Sequence, residues 1–365
     1  MTQSPLPAPR TARLWVGTYP SGGPNSPAGT GEGIWRLDLD LDTGSLQGVL
    51  AAEAPSASFL AVGAQGSTLY AVGETDLGTV ASFALDGDGG LTELDRVSSG
   101  GAAPCHLLLD PRGRALYVAC YGSGTVGVLP LAQDGGFAPE VLRRGEPVQV
   151  LGNAAPGSGA VPDRQDAPHA HSTILSPDGV FLLVADLGTD QLRRLRVRAD
   201  GLLDDDGVAC ALPPGTGPRH LAYGAGGDLY VVGELSGAVH VLAWDAATGT
   251  ATQVGAVAAA SQESVAHGSN LPAHVVATPE RVLVSVRGAD VVSELSVLGG
   301  SAELDAVQDV RVDAWPRHFT VVGRWVVVAA QHGRTVMSLR RSPDGLFDGV
   351  ADRFELDQPA CVVTG

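Results

Sequence analysis

Seven times along this chain a proline is followed by two residues and a run of apolar ones. The copies are Pro55-Ser56-Ala57, Pro104-Cys105-His106, Pro168-His169-Ala170, Pro218-Arg219-His220, Pro272-Ala273-His274, Pro316-Arg317-His318 and Pro359-Ala360-Cys361. They recur about 43 to 64 residues apart, close to the length of one four-stranded sheet in a repeat protein. A second unit follows: an apolar strand such as Leu69-Tyr70-Ala71-Val72, Leu116-Tyr117-Val118-Ala119 or Leu229-Tyr230-Val231-Val232. Turns such as Asp110-Pro111-Arg112-Gly113 and Ser176-Pro177-Asp178-Gly179 precede many of these strands, and Asp-Gly pairs at 134, 200 and 344 close the units. Such a unit cannot bury its own apolar face, so the copies must stack. The spacing predicts an all-β, seven-bladed β-propeller in a single domain over residues 1–365. The chain opens with a second-strand unit at Leu14-Trp15-Val16-Gly17 and closes with a first-strand unit from Ala360 to Thr364. The termini are therefore expected to share one blade and leave no free sheet edge. Residues 1–11 read as a flexible tail, residues 143–167 as an inserted loop, and no amphipathic helix stands out.

Composition narrows the function. The formal net charge is −17 and the pI about 4.8, a field that repels nucleic acid. No stretch approaches the roughly 20 apolar residues of a membrane helix, so neither nucleic acid nor membrane is an expected partner. The chain has no lysine, which excludes Schiff-base chemistry and a Walker-type phosphate loop. Its four cysteines form no CxxC pair, there is no GxSxG, and the N-terminus lacks the apolar core of a secretion signal. A cytoplasmic location is expected, as a monomer or weak homo-oligomer. An anionic small molecule would need a local positive cluster to overcome the long-range field.

The repeat also says where such a cluster should lie. First strands line the central channel of a propeller, so equivalent positions face one another as rings. Two residues after each proline stand Ala57, His106, Ala170, His220, His274, His318 and Cys361; one residue after it stand Ser56, Cys105, His169, Arg219, Ala273, Arg317 and Ala360. The turn after the second strand reads Thr18, Glu74, Tyr121, Leu187, Glu234, Arg287 and His332. A purely structural repeat would hold one apolar residue at these places. Polar, ionisable variety at buried positions points instead to an active site at one channel mouth. His169 and His171, two apart on a strand, would point the same way.

In their order, several motifs resemble the propeller-type lactonase family of 6-phosphogluconolactonases and the related fungal carboxymuconate lactonising enzymes. They are Gly17-Thr18-Tyr19, Pro104-Cys105-His106, Tyr121-Gly122-Ser123-Gly124, Arg164-Gln165 before Pro168-His169-Ala170-His171, Asp186-Leu187-Gly188-Thr189-Asp190, Gly217-Pro218-Arg219-His220, Glu234-Leu235-Ser236, Arg287-Gly288 and Pro316-Arg317-His318-Phe319. The resemblance implies catalytic or binding roles for His171 (or His169), Arg219, Glu234 and Arg287. The family often carries Asn where this chain has Gly73, Cys120, Gly233 and Val286. The implied activity is hydrolysis of a sugar lactone, with 6-phosphoglucono-1,5-lactone as the first candidate. His171 would activate water near its ordinary pKa, Glu234 would orient it or act as the alternative base, and Arg219 and Arg287 would divide oxyanion stabilisation and anion anchoring. His106, His169, Glu74, Tyr121, His220, His274, Arg317 and His318 are the expected substrate-binding residues, Arg317 in a supporting role. No cofactor or metal is required. A carboxymuconate-type cycloisomerase would use the same residue types, and a non-enzymatic propeller scaffold is the third reading.

Overall fold

The computed structural model describes residues 10–19, 31–87, 89–298 and 303–365. Its strands form seven antiparallel sheets of four strands each. We number these blades 1 to 7 in chain order, and strands outward from the channel. Blade 1 combines the strand Pro359–Thr364 with Thr11–Thr18, Gly33–Asp40 and Leu46–Glu53, so both ends of the chain share a sheet. Leu14 pairs with Thr364 and Val16 with Val362. The expected tail over 1–11 lies outside the described residues as far as residue 9, and Thr11 already opens a strand.

Second strands are mostly apolar along their middle because both of their faces are covered there. In blade 5, Leu229 and Val231 join the core shared with blade 4, while Tyr230 and Val232 join the core shared with blade 6. The same division holds around the ring. Seven apolar clusters occupy the seven interfaces between neighbouring blades. A fully buried Val, Leu or Phe stabilises by about 1.5–3 kcal/mol, so the ring is held by its interfaces rather than by a central core. Fourth strands alternate exposed with partly covered residues, as in Thr250–Ala258. At the blade 7–blade 1 seam, Trp325 packs with Leu14, Val16 and Val362, and its indole N–H donates to the Leu41 carbonyl at 3.0 Å.

The inserted stretch is less irregular than its composition suggests. A short helix, Pro139–Arg144, precedes it, and Gln149–Gly152 forms the fourth strand of blade 3. The irregular loop therefore begins at Asn153. A second short helix, Gln262–Val265, links blades 5 and 6, with the Ser261 side chain accepting from the Ser264 N–H as its cap.

Candidate active site

A backbone device repeated around the ring sets up the site. In six blades a residue leading into the inner strand accepts a hydrogen bond from the residue just after the second strand. Six such bonds are Tyr19 to Gln358, Glu74 to Ser56, Tyr121 to Ala103, Leu187 to His169, Glu234 to Gly217 and Gln331 to Trp315. Five of the accepting residues have left-handed backbone: Ser56, Ala103, Gly217, Trp315 and Gln358, with φ between 49° and 64°. Glycine adopts this without strain at 217; elsewhere the fold imposes it on larger residues. Past it, ladder pairing slips between Pro104 and His106, Ala170 and Ser172, Pro218 and Leu221, Pro272 and Val275, and Pro316 and His318. Each slip is a β-bulge, which re-aims the side chain at the slip toward the mouth.

This register corrects the rings read from sequence. In blade 4 the counterpart of Pro104 is Ala170, paired with Asp186 as Pro104 is with Cys120. The bulge position is therefore His171, and His169 stands before the strand. The bulge also ends the strict alternation that would have aimed His169 and His171 the same way. In blade 2 the bulge position is Ser58 and the next residue Phe59, since Phe59 accepts from the Val72 N–H and Ser56 from the Glu74 N–H. The rim positions expected at Thr18 and His332 are held by Tyr19 and Gln331. Thr18 is buried against Gly33, and His332 stacks on Trp315 with ring centroids 4.7 Å apart.

At the mouth, Glu234 is buried among three guanidinium groups. Its Oε1 accepts from Arg164 Nη2 at 2.6 Å; its Oε2 lies 3.0 Å from Arg219 Nε and 2.6 Å from Arg287 Nη2. Arg219 and Arg287 also donate to the carbonyls of Ala273 and Leu271. Burial works to raise the Glu234 carboxyl, but Arg287, Arg219 and Arg164 outweigh it and hold the group well below its ordinary value. Glu234 is thus a fixed anion that orients arginines, and a poor base. Burial, then Arg287 and Arg317, pull Arg219 below its own ordinary value. His171 lies beside this cluster, its ring T-shaped to Tyr121 at 5.6 Å. Burial, then Arg219, push it well below the usual histidine range. The expectation of a near-normal His171 therefore fails. It is a neutral imidazole whose Nδ1 has no hydrogen-bond partner among the described residues.

A second cluster forms on blades 7, 1 and 2. Tyr19 donates its hydroxyl to Glu74 Oε1 at 2.5 Å, and Ser58 donates to Glu74 Oε2. Arg317 Nη2 donates to the Tyr19 hydroxyl at 2.7 Å, with the guanidinium 4.7 Å from the centre of that ring. Beneath both clusters His106, His220, His274 and His318 form a floor with Phe59. His274 and His318 stack at 3.8 Å, and Phe59 lies 4.5 Å from His106. His220 and His274 share a proton between Nδ1 atoms 2.8 Å apart. Among the described residues no three His, Cys, Asp or Glu side chains are arranged to hold a metal ion.

The structure thus brings His171, Arg219, Glu234 and Arg287 to one mouth, with Tyr121 at its side and Glu74 and Arg317 in the second cluster. His106, His220, His274 and His318 go to the floor. His169 stays at the edge: it stacks on Tyr121 at 4.4 Å, and its ring nitrogens reach the Tyr121 carbonyl and Asp166.

Comparison with known proteins places this arrangement. The sequence model of the lactonase family with a seven-bladed β-propeller matches residues 13–364. The chain belongs to that lactonase family. It is 29% identical to the 6-phosphogluconolactonase of Bacillus subtilis, over 95% of this chain and 97% of the relative. A 6-phosphogluconolactonase of Formosa agariphila is 30% identical over 58% of this chain and 60% of its own length. Among solved structures, the periplasmic gluconolactonase PpgL of Pseudomonas aeruginosa superposes with a TM-score of 0.85 at 29% identity, covering 97% of this chain and 99% of that one.

At two of the positions where the resemblance leads us to expect Asn in related chains, this lactonase propeller has no room for a side chain. A side chain at Gly73 would meet Thr79 Oγ1, and one at Gly233 would meet Ser236 Oγ, so these hydroxyls fill the space. In blade 4 Asp186 takes the equivalent place, accepting from the His169 and Thr189 N–H groups and from Asn153 Nδ2. Three mouth residues escaped the sequence reading of the site: Tyr19, Ser58 and Arg164. Tyr19 was one residue from the position assigned to the rim, and Ser58 two from the assumed bulge. Arg164 belongs to the inserted loop, where no repeat register reaches. Its neighbour Gln165 is fully buried and donates to the Leu187 carbonyl and to Asp190, which fixes the loop so that Arg164 spans to Glu234.

Proposed function

We propose that this protein hydrolyses 6-phosphoglucono-1,5-lactone to 6-phosphogluconate. The observation that carries the reading is the union of Glu234, Arg164, Arg219 and Arg287 beside the neutral imidazole of His171. Charge supports it as well. Across the two mouth clusters four guanidinium ions face two carboxylates, an excess of two positive charges in a chain of net charge −17. A phosphate monoester carries about −1.5 to −2 near neutral pH.

A lactone is an activated ester, so a modest base is enough. Water attacks the C1 carbonyl while the neutral His171 imidazole takes its proton. Arg219 and Arg287 face the oxyanion that develops, and in this water-poor place such donors are worth far more than in bulk solvent. The carbonyl re-forms, the bond from C1 to the ring oxygen breaks, and the proton held by His171 passes to that oxygen as it becomes the 5-hydroxyl. The new carboxylic acid gives its proton to solvent. Glu234 stabilises the transient imidazolium through space and keeps the arginines in place.

The test is lactone hydrolysis by the purified protein over 6-phosphoglucono-1,5-lactone, glucono-1,5-lactone and carboxymuconolactone, with spontaneous opening subtracted. Faster opening of the phosphorylated sugar lactone is expected. Rates at background across the panel would end the reading, and turnover of carboxymuconolactone alone would transfer the site to the cycloisomerase chemistry.

A further inference from the structure

Arg164, Arg219 and Arg287 are all committed to Glu234. Arg317 differs. It makes no ion pair with a carboxylate among the described residues, and its side chain is only partly covered. What holds it is a neutral hydroxyl and an aromatic face. Tyr19 accepts from Nη2, lies under the guanidinium, and passes its own hydrogen bond on to Glu74, whose second oxygen is taken by Ser58. Burial raises the Tyr19 phenol well above its usual range, so it remains a neutral donor to Glu74. This chain of contacts fixes the direction of the guanidinium without cancelling its charge by direct contact. A half-buried cation left in that condition is stabilised by an anion that binds there, and a planar fork fits two oxygens of a phosphate.

Placement completes the argument. Arg317 and its supports lie on blades 7, 1 and 2, whereas His171, Glu234, Arg219 and Arg287 lie on blades 4 to 6. The two clusters occupy different arcs of the ring and meet where blade 6 adjoins blade 7, with Arg287 over the Trp315 ring. In 6-phosphoglucono-1,5-lactone the reacting C1 and the phosphorylated C6 arm on C5 flank the ring oxygen, so the carbonyl and the phosphate are separate groups that separate arginines can hold. We infer that Arg317, seated on Tyr19 and Glu74, forms the subsite for the terminal phosphate of the substrate, while the Glu234 cluster handles the carbonyl. The assignment rests on the lactonase reading above and refines it by separating the anchoring arginine from the reacting ones.

The experiment compares kcat/KM for 6-phosphoglucono-1,5-lactone and glucono-1,5-lactone in the full-length protein and in Arg317→Gln, Arg317→Lys and Tyr19→Phe. The unaltered protein should favour the phosphorylated lactone. Arg317→Gln should raise KM for it by about 10- to 100-fold, the scale of a charged hydrogen-bonded contact, and cut the preference by the same factor. Arg317→Lys should recover part of that loss, and Tyr19→Phe should lower the preference by less. An equal loss on both lactones in Arg317→Gln would overturn the subsite. Should that variant not fold, as judged by its thermal transition, Tyr19→Phe decides on the same ratio. An unaltered protein that opens both lactones equally refutes the phosphate subsite and leaves the lactonase reading standing. One that opens neither refutes the lactonase reading itself.

Discussion

The mouth and the floor of this channel are built from neighbouring residues on the same strands, yet their chemistry is opposite. Arg219 and Arg317 belong to the mouth; His220 and His318, one residue further on, belong to the floor. The mouth arginines and glutamates are charged and tied to one another or to hydroxyls, and His171 beside them is a neutral ring. Floor groups are neutral and packed against one another. Burial, reinforced by Arg219, pushes His106 and His318 down to about 3. Both accept a backbone N–H at Nδ1, from Thr173 and Val362, each at 3.4 Å, which leaves the ring proton on Nε2. The lesson concerns depth. A bulge sends one side chain up to a mouth where cations can find anions. The next side chain faces other rings, and burial and the nearby Arg219 favour its neutral form.

The comparison can be broken from either side. The largest effect belongs to the mouth: Arg287→Ala should lower kcat/KM for a charged lactone by about 10²- to 10³-fold. Because Arg287 is buried and paired with Glu234, its removal should lower the thermal midpoint too, so the kinetics are read well below that midpoint; near-normal values there would remove Arg287 from the chemistry. The floor should instead show itself in acid. Its histidines have folded pKa values below the ordinary 6.5, so between that value and about 3 the unfolded chain binds protons that the native one refuses. Their contribution is complete above about pH 6.5 and is lost as the pH falls toward 3, by up to about 1.4 kcal/mol per pH unit for each group. Urea midpoints measured from pH 7 down to 4.5 should therefore decline, and a flat series would contradict a neutral floor. The smallest effect should be kinetic and confined to the floor. His274→Gln is expected to change kcat/KM by no more than about threefold, whereas a loss comparable with that of Arg287→Ala would show that the floor takes part in turnover.

How much of this was legible in the sequence depends on what the repeat could carry. The seven prolines and the Leu-Tyr-Val-Val strands specified seven stacked sheets because period and two-sided burial leave little alternative. The join of Leu14–Gly17 with Ala360–Thr364 followed from the same count. The mouth was read through that repeat, and it succeeded where the proline stands at the strand entrance, as at Arg219 and Arg317. It failed where the proline is displaced or replaced. Pro168 lies two residues before the true strand start at Ala170, and Ala57 fills the place in blade 2, so His171 and Ser58 took positions first given to His169 and Ser56. The repeat gives Arg164 no place at the mouth, since it reaches Glu234 from a loop fixed by the buried Gln165 and not by strand register. The pKa of His171 was also out of reach, because burial and the Arg219 charge come from blades that meet only in three dimensions.

The shared terminal sheet has a consequence for biosynthesis. The strand Pro359–Thr364 is translated after every other strand of the ring, yet it completes the sheet begun at Thr11. Until it leaves the ribosome, Thr11–Thr18 has an unpaired inner edge and the faces of blades 7 and 1 lack a common seal. The nascent chain must keep this gap from pairing with other molecules, and any truncation that removes those six residues takes away the clasp of the whole ring.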